Sequence, residues 1–149
     1  MNMIKITDPN ERMAVMPRTF GDPMLGLRVE NAIFDFMGML APAYQGGMWD
    51  FYRVLAGQAL HGAPEGFFMA PAMEGETQVV SPNGAQVMVP WDVAGLVACR
   101  FAYSHLSIAL YEGDEKGSAI VAKQYYAILE VGSVLHEGRY AGVIESLCD

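Results

Sequence analysis

The sequence predicts a single α+β domain in which an antiparallel four-stranded meander packs against several helices. Apolar residues recur at helical spacing near the N-terminus and again over the last third of the chain. Short segments rich in aromatic and β-branched residues lie between these regions, and they follow one another too closely for parallel crossovers. The chain has 149 residues, of which 52% are hydrophobic and 17% are charged, so it can bury one sizeable core.

The N-terminal region is predicted to be an extended arm over residues 1–18. Turn-forming residues near its start and a stop at Pro17 favour this interpretation. A helix then begins, because Asp22 is suited to cap it and a proline follows at the first helical position, and Pro42 ends it. The chain is therefore divided into the arm and a single α+β domain over residues 19–149.

Four short strands are predicted in the middle of the chain. Residues 48–55 and 66–71 are enriched in the aromatic side chains that favour extended backbone. Residues 77–80 and 86–89 flank the Ser-Pro-Asn-Gly sequence at 81–84. That sequence is typical of a hairpin connection, because its glycine adopts positive φ without steric strain.

The last third of the chain is predicted to be helical. Residues 92–111 are apolar nearly all the way round, which suits a central helix packed on several sides. A second helix is expected from Ser118 to about residue 135, with a stop near Gly138. Residues 140–147 fit a short final amphipathic helix.

Composition restricts the possible functions. Nine Lys and Arg stand against 17 Asp and Glu, and the net charge of −8 argues against a nucleic-acid binder, which needs a basic surface. Two cysteines, Cys99 and Cys148, are too few for a disulfide scaffold. The N-terminus lacks the apolar stretch of a signal peptide, and the longest apolar stretch, 93–110, contains polar residues such as Arg100. A cytoplasmic protein without a membrane span is expected.

No arrangement of catalytic or metal-binding residues is evident in the sequence. His61, His105 and His136 match no zinc-ligand spacing, so surface or hydrogen-bonded histidines are favoured over a metal site. Cys99 and His105 lie roughly 120° apart around a helix, so a buried packing cysteine is favoured over a nucleophile. Solvated loop charges are favoured over acid–base catalysis for two acidic pairs: Glu74 with Glu76, and Asp114 with Glu115.

Two further sets of side chains admit a binding interpretation. Eleven methionines could form an adaptable partner surface, but Met37, Met69 and Met88 fall on apolar faces or in strands, which favours core filling. A series of aromatic residues could stack on single-stranded nucleic acid, but only Arg53 accompanies it, so a sheet packed against helices is favoured. This series comprises Trp49, Phe51, Tyr52, Phe67 and Phe68.

One stretch points to a protein family. Tyr44-Gln-Gly-Gly-Met-Trp-Asp-Phe-Tyr-Arg53, followed by Gly66-Phe-Phe-Met-Ala-Pro71, resembles the signature region of the ArdB/KlcA antirestriction family. Asp92-Val-Ala-Gly95 and Gln124-Tyr-Tyr-Ala127 resemble parts of the family's central and late helices. The resemblance extends over residues 9–149, nearly the whole chain.

The chain departs from the family's pattern at two places. Phe68 stands where the family has tyrosine, and the loop over residues 55–65 is longer than the family's short turn. The candidate site is the signature segment itself, which we expect to be mostly structural. Its residues are Tyr44, Gly46, Gly47, Trp49, Phe51, Tyr52, Gly66, Phe67, Met69, Ala70 and Pro71.

The resemblance implies an antirestriction protein carried on plasmids or other mobile elements, which lets incoming DNA survive type I restriction–modification systems. It implies no enzymatic activity, no cofactor and no metal. The implied partner is the type I restriction–modification complex, contacted directly or through another factor, without stable DNA binding. The oligomeric state is left open.

Two inhibitory mechanisms are compatible with this expectation. A DNA mimic must present carboxylates at phosphate-like spacing, about one per 1.7 Å of duplex axis. In this chain 17 acidic residues are spread over the whole length, with nine basic residues between them. A mechanism through a protein surface is therefore favoured, and an acidic DNA mimic that inhibits a DNA-binding protein is the alternative.

Overall fold

The computed structural model describes residues 2–55 and 65–149 of the chain. Within these residues it contains five β-strands and five α-helices, which confirms the predicted α+β class. The strands are β1 Asn2–Lys5, β2 Trp49–Leu55, β3 Gly66–Pro71, β4 Glu76–Val80 and β5 Gln86–Pro90. The helices are α1 Pro9–Phe20, α2 Pro23–Leu40, α3 Trp91–Leu110, α4 Glu115–Ile128 and α5 Ala141–Cys148.

The five strands form two separate antiparallel sheets. The first has the order β1-β2-β3, and the second consists of β4 and β5. In the first sheet β2 lies in the middle, so Tyr52 pairs with Lys5 on one side and with Phe68 on the other. The predicted four-stranded meander is therefore wrong, because β1 joins the first sheet and β4 does not pair with β3.

Helical side chains occupy the edge of β3 at which β4 would have to pair. The Phe67 N–H donates to Oε1 of Gln124 at 2.9 Å, and the Tyr103 hydroxyl donates to the Phe67 carbonyl at 2.6 Å. The Cys99 Sγ lies 3.5 Å from the Met69 nitrogen and 3.4 Å from its carbonyl oxygen. Because α3 and α4 already satisfy these buried backbone groups, β3 needs no further strand partner.

The prediction of an extended arm over residues 1–18 is wrong after β1, because residues 9–18 belong to α1. The Asp8 side chain caps α1 by accepting from the Glu11 nitrogen at 3.2 Å, and Gly21, with φ 70°, ends the helix. Pro17 lies inside α1 and does not stop it. A buried face offsets the lost backbone hydrogen bond, and its residues are Val15, Met16 and Phe20.

The predictions for α2 and for the β4–β5 hairpin are confirmed. Asp22 accepts a hydrogen bond from the Met24 nitrogen at 2.9 Å, and α2 ends at Leu40, shortly before Pro42. In the hairpin, Gly84 has φ 94°, the left-handed conformation that its place in the turn requires. The boundary at residue 19 and the single domain over 19–149 stay predictions.

The end of the chain differs from the prediction of one helix from Ser118 to about residue 135. Helix α4 begins at the Asp114 cap, whose Oδ1 accepts from the Gly117 nitrogen at 2.9 Å, and it ends at Ile128. Two short 3₁₀ segments follow, Val131–Ser133 and Leu135–Gly138. In the first, the Ser133 hydroxyl donates to the Glu130 carbonyl at 2.6 Å, a local bond that competes with helix continuation.

Helix α3 lies at the centre of the fold. It contacts α2, α4, α5 and the strand β3, and residues 91 and 93–100 are all buried. By length and composition α3 could cross a membrane, but 61% of its most apolar 18-residue window is buried inside the fold. That burial is typical of the core helix of a soluble protein.

Candidate functional site

The aromatic part of the signature segment is built into the core. The Trp49 Nε1–H donates to the Tyr44 hydroxyl at 2.9 Å, and the Trp49 ring packs edge-to-face on Phe34 of α2 at 5.2 Å. Arg12 of α1 donates to the Trp49 carbonyl at 2.8 Å, and its guanidinium lies 4.4 Å from the centre of the Phe51 ring. These contacts fix the start of β2 against α1 and α2.

The second half of the signature, β3, is buried along its whole length. Phe68 stacks on Tyr52 of β2 with ring centres 4.6 Å apart. A Cβ at Gly66 would lie 3.1 Å from the Val54 side chain, so a larger residue would be crowded there. Among the described residues, these contacts support the proposal that the signature is mostly structural.

One part of the signature is exposed. Residues 45–48 all face solvent, and Met48 has a relative exposure of 73%. Gly46 and Gly47 have φ values of 89° and 121°, which side-chain-bearing residues rarely adopt, so the two glycines set the course of this loop. The Met48 carbonyl accepts from the Ala72 nitrogen at 2.8 Å, which holds the loop beside the chain that leaves β3.

A polar cluster that the sequence did not predict lies near the first turn of α3. The His136 Nε2 lies 2.8 and 2.9 Å from the two Asp92 carboxylate oxygens, and the His136 ring packs edge-to-face on Tyr140. Burial, followed by the charges of Asp50 and Asp92, raises the pKa of Tyr52 to about 12. Tyr52 therefore stays protonated near neutral pH and cannot act as a base there.

Cys99 and His105 are not brought together. Cys99 is fully buried, as predicted, and burial raises the pKa of its thiol to about 12, so the nucleophilic thiolate does not form near neutral pH. His105 is exposed, and its ring packs on Phe36 at 4.9 Å and on Phe101 at 6.2 Å.

The part of the chain that the structure describes holds no cluster of three or more His, Cys, Asp or Glu suited to a metal ion. His61 and the rest of residues 56–64 lie outside the described residues.

Arg53 and Arg100 both bind carboxylates within the fold. Arg53 of β2 forms a bidentate pair with Glu65 and a 3.1 Å bond with Glu11, and its hydrogen bonding lowers the pKa of Glu65. Arg100 of α3 is almost fully buried and donates to Glu145 of α5 at 2.8 Å. Arg53, the base that accompanies the aromatic series in the sequence, is therefore engaged and does not provide a phosphate-binding surface.

The methionines divide between core and surface. Met37 and Met69 are fully buried, as predicted, but Met88 is 58% exposed, so core filling is wrong for Met88. It lies on the outer face of the β4–β5 hairpin, opposite Gln78, which is also exposed. Among the described residues six methionines are exposed: Met13, Met24, Met39, Met48, Met73 and Met88.

Comparison with known proteins identifies the family. The family model described as antirestriction protein matches residues 42–139, which include the whole described signature, α3 and α4. The chain belongs to the antirestriction protein family. The family resemblance drawn from the signature segment is therefore confirmed.

Two relatives define the family likeness further. The antirestriction protein KlcA of Escherichia coli is 35% identical over 118 residues, which cover 78% of this chain and 75% of KlcA. A solved structure from work on the KlcA and ArdB proteins, which describes a novel fold, is similar with a TM-score of 0.78 and 23% identity. The match covers 100% of this chain and 96% of the solved chain, so the antirestriction fold extends over all of it.

Proposed function

We propose that this antirestriction protein acts in the cytoplasm and protects incoming mobile-element DNA from type I restriction–modification systems, without catalysis. The observation that carries the proposal is the shared family and fold, with 35% identity to KlcA and a TM-score of 0.78. The KlcA and ArdB proteins are described as having antirestriction activity against type I DNA restriction systems in vivo but not in vitro. We extend that activity to this chain.

The side chains that could carry out catalysis support a non-enzymatic mechanism. The Cys99 thiol is buried and protonated, and Tyr52 is held in its neutral form. His136 is hydrogen-bonded to Asp92 and packs on Tyr140. Among its contacts in the described ranges, this pair has no serine, threonine or cysteine side chain, which argues against acyl or phosphoryl transfer by such a nucleophile there.

A surface mechanism is favoured over DNA mimicry, because several carboxylates are neutralised within the fold. Mimicry requires many free carboxylates at phosphate-like spacing. In the described residues, salt bridges of 4.0 Å or less already engage Glu11, Asp50, Glu65 and Glu145.

The activity of the relatives in vivo but not in vitro favours an indirect action. A protein that occupied the restriction enzyme alone would also inhibit the purified enzyme. We therefore propose that this protein reaches the restriction complex together with a further cellular component. The partner is a protein assembly, and stable binding to free DNA forms no part of the mechanism.

A plating assay tests the function. Unmodified phage should plate better on cells that express the protein and carry an active type I system, and equally well with or without the protein when that system is absent. Purified protein should leave the purified enzyme active until extract from restriction-deficient cells is added. Unchanged plating against several type I families would contradict the proposed function.

A charge variant tests the mechanism. Glu112, Glu130 and Glu137 are exposed, and their combined replacement by glutamine leaves the Asp114 cap of α4 in place. We expect the variant to fold, because surface changes of this kind alter stability by about 0.5 kcal/mol or less. We also expect most of the protection to remain, because the proposed surface mechanism does not depend on these charges. A steep loss of protection in the folded variant would favour mimicry.

A further inference from the structure

We propose that the exposed part of the signature and the turn beside it form a docking surface for a basic protein partner. We name residues 45–48 and 72–76 the double-glycine surface, and each of these nine residues is exposed. The inference rests on the proposed function, and it states which residues of the protein contact the partner.

The two segments of the double-glycine surface are held side by side on a rigid base. The Ala72 nitrogen donates to the Met48 carbonyl at 2.8 Å, and the next residues along, Trp49 and Pro71, pair across β2 and β3. The Trp49 ring is locked by its hydrogen bond to Tyr44 and by aromatic packing. A surface fixed in this way loses little conformational entropy when it binds.

Apolar side chains and carboxylates occur together on this surface. Met48 is 73% exposed and Met73 is 46% exposed. Methionine adapts its shape to a partner through three flexible bonds and a polarisable sulfur. Glu74, in the same turn, and Glu76, at the start of β4, are also exposed. The surface therefore offers an adaptable apolar contact beside two negative charges.

The charge of this region is one-sided. Between Arg28 and Arg100 the sequence has seven Asp and Glu against Arg53 alone, and Arg53 is already paired with Glu65 and Glu11. Among the described residues, Lys5 and Arg12 from the N-terminal elements contact this part of the sheet, and each bonds to a group of the fold. Lys5 lies 3.2 Å from Asp50, and Arg12 donates to the Trp49 carbonyl.

Charge complementarity indicates which kind of partner binds the double-glycine surface. Nucleic acid is disfavoured, because its phosphates would meet Glu74 and Glu76 without a basic residue among the surface segments. A second copy is disfavoured, because a two-fold contact would bring the same acidic patch to both sides of the interface. A protein that presents an apolar side chain among Lys and Arg fits both features. Proteins that handle DNA carry such basic surfaces, which agrees with the proposed function.

Two pairs of variants test the surface in the plating assay. Met48→Gln with Met73→Gln removes the apolar contact, and its control is Met13→Gln with Met24→Gln, two methionines that are exposed on α1 and α2. We expect the first pair to lose protection by about tenfold or more, which corresponds to about 1.4 kcal/mol of binding free energy. The control pair should protect as well as the parent.

Charge reversal tests complementarity. Glu74→Lys with Glu76→Lys should abolish protection, because like charges would then face each other across the contact. The control is Glu112→Lys with Glu130→Lys, which makes the same charge change at exposed positions elsewhere. Circular dichroism and melting curves establish that all variants fold. If the parent protects cells and both surface variants protect equally well, the docking surface is refuted.

Crosslinking in cells identifies the occupant independently of protection. A photocrosslinking amino acid that replaces Met48 should capture a protein that the same amino acid at Met24 does not capture. The purified captured protein should bind the parent, bind less at raised salt and fail to bind the Glu74→Lys, Glu76→Lys variant. Capture of a second copy, of nucleic acid or of nothing overturns the inference. A parent that gives no protection refutes the proposed function instead, and the crosslink still decides the surface.

Discussion

Replacing Gln124 with methionine should destabilise the protein by removing the partner of a buried strand edge. The Gln124 Oε1 accepts from the Phe67 N–H at 2.9 Å, and its Nε2 donates to the Glu65 carbonyl at 2.8 Å. Methionine has nearly the same volume but replaces neither bond, so the fully buried Phe67 N–H is left unpaired. A buried donor without a partner costs about 1–3 kcal/mol.

Thermal unfolding by circular dichroism measures this effect. For a domain of this size, about 2 kcal/mol corresponds to a melting temperature about 4–8 °C lower. Gln78→Met is the matched control, because Gln78 is exposed in β4, and its melting temperature should stay within about 2 °C of the parent. If Gln124→Met has the same melting temperature as the parent, helical side chains do not stabilise the edge of β3. The explanation given for the two separate sheets is then wrong.

Three further predictions concern the interface between α3 and β3, and Gly38 of α2 and the exposed Tyr111 serve as controls. Gly95→Ala should give insoluble or strongly destabilised protein, by about 3 kcal/mol or more, because its Cβ would lie 2.3 Å from a neighbouring Cβ of β3. Gly38→Ala, at an exposed helical position with open space around it, should stabilise by about 0.5–1 kcal/mol in chemical denaturation. Tyr103→Phe should cost about 1–3 kcal/mol by leaving a buried carbonyl unpaired, whereas Tyr111→Phe, 65% exposed, should be nearly silent. Cys99, with a thiol pKa of about 12, should resist a thiol reagent at pH 8 until denaturant is added, and labelling in the native state would contradict its burial.

The sequence predicted the elements whose first and last residues are determined by capping and turn residues close to them in the chain. The α2 cap at Asp22 and the turn at Gly84 are local features, and both were confirmed. Pro17 shows the limit of such reasoning. A proline inside an apolar run locally predicts a stop, but tertiary burial of residues such as Phe20 maintains α1 through it. That burial is not visible until the rest of the fold is known.

The arrangement of the strands could not be predicted, because the groups that decide it are distant in sequence. Gln124 lies 57 residues from Phe67, and Tyr103 lies 36 residues from it. Periodicity marks which face of a helix is apolar, but it does not mark a polar side chain that satisfies a strand edge. The pair of His136 and Asp92 could not be predicted for the same reason, because the two residues are 44 positions apart in the sequence.

The residues that carry the family resemblance are explained largely by packing. Gly95 allows α3 to approach the Ala70 backbone, Gln124 satisfies the Phe67 N–H, and Trp49 anchors the start of β2. A motif whose side chains are buried specifies a fold, and a partner cannot contact it directly. The proposed activity therefore depends on residues that this fold exposes. Within the signature the exposed residues are those of 45–48, where two glycines impose a conformation that places Met48 in solvent. For this reason substitutions at Met48 should reduce protection without lowering stability, whereas substitutions at Trp49, one residue away, should reduce protection only by unfolding the protein.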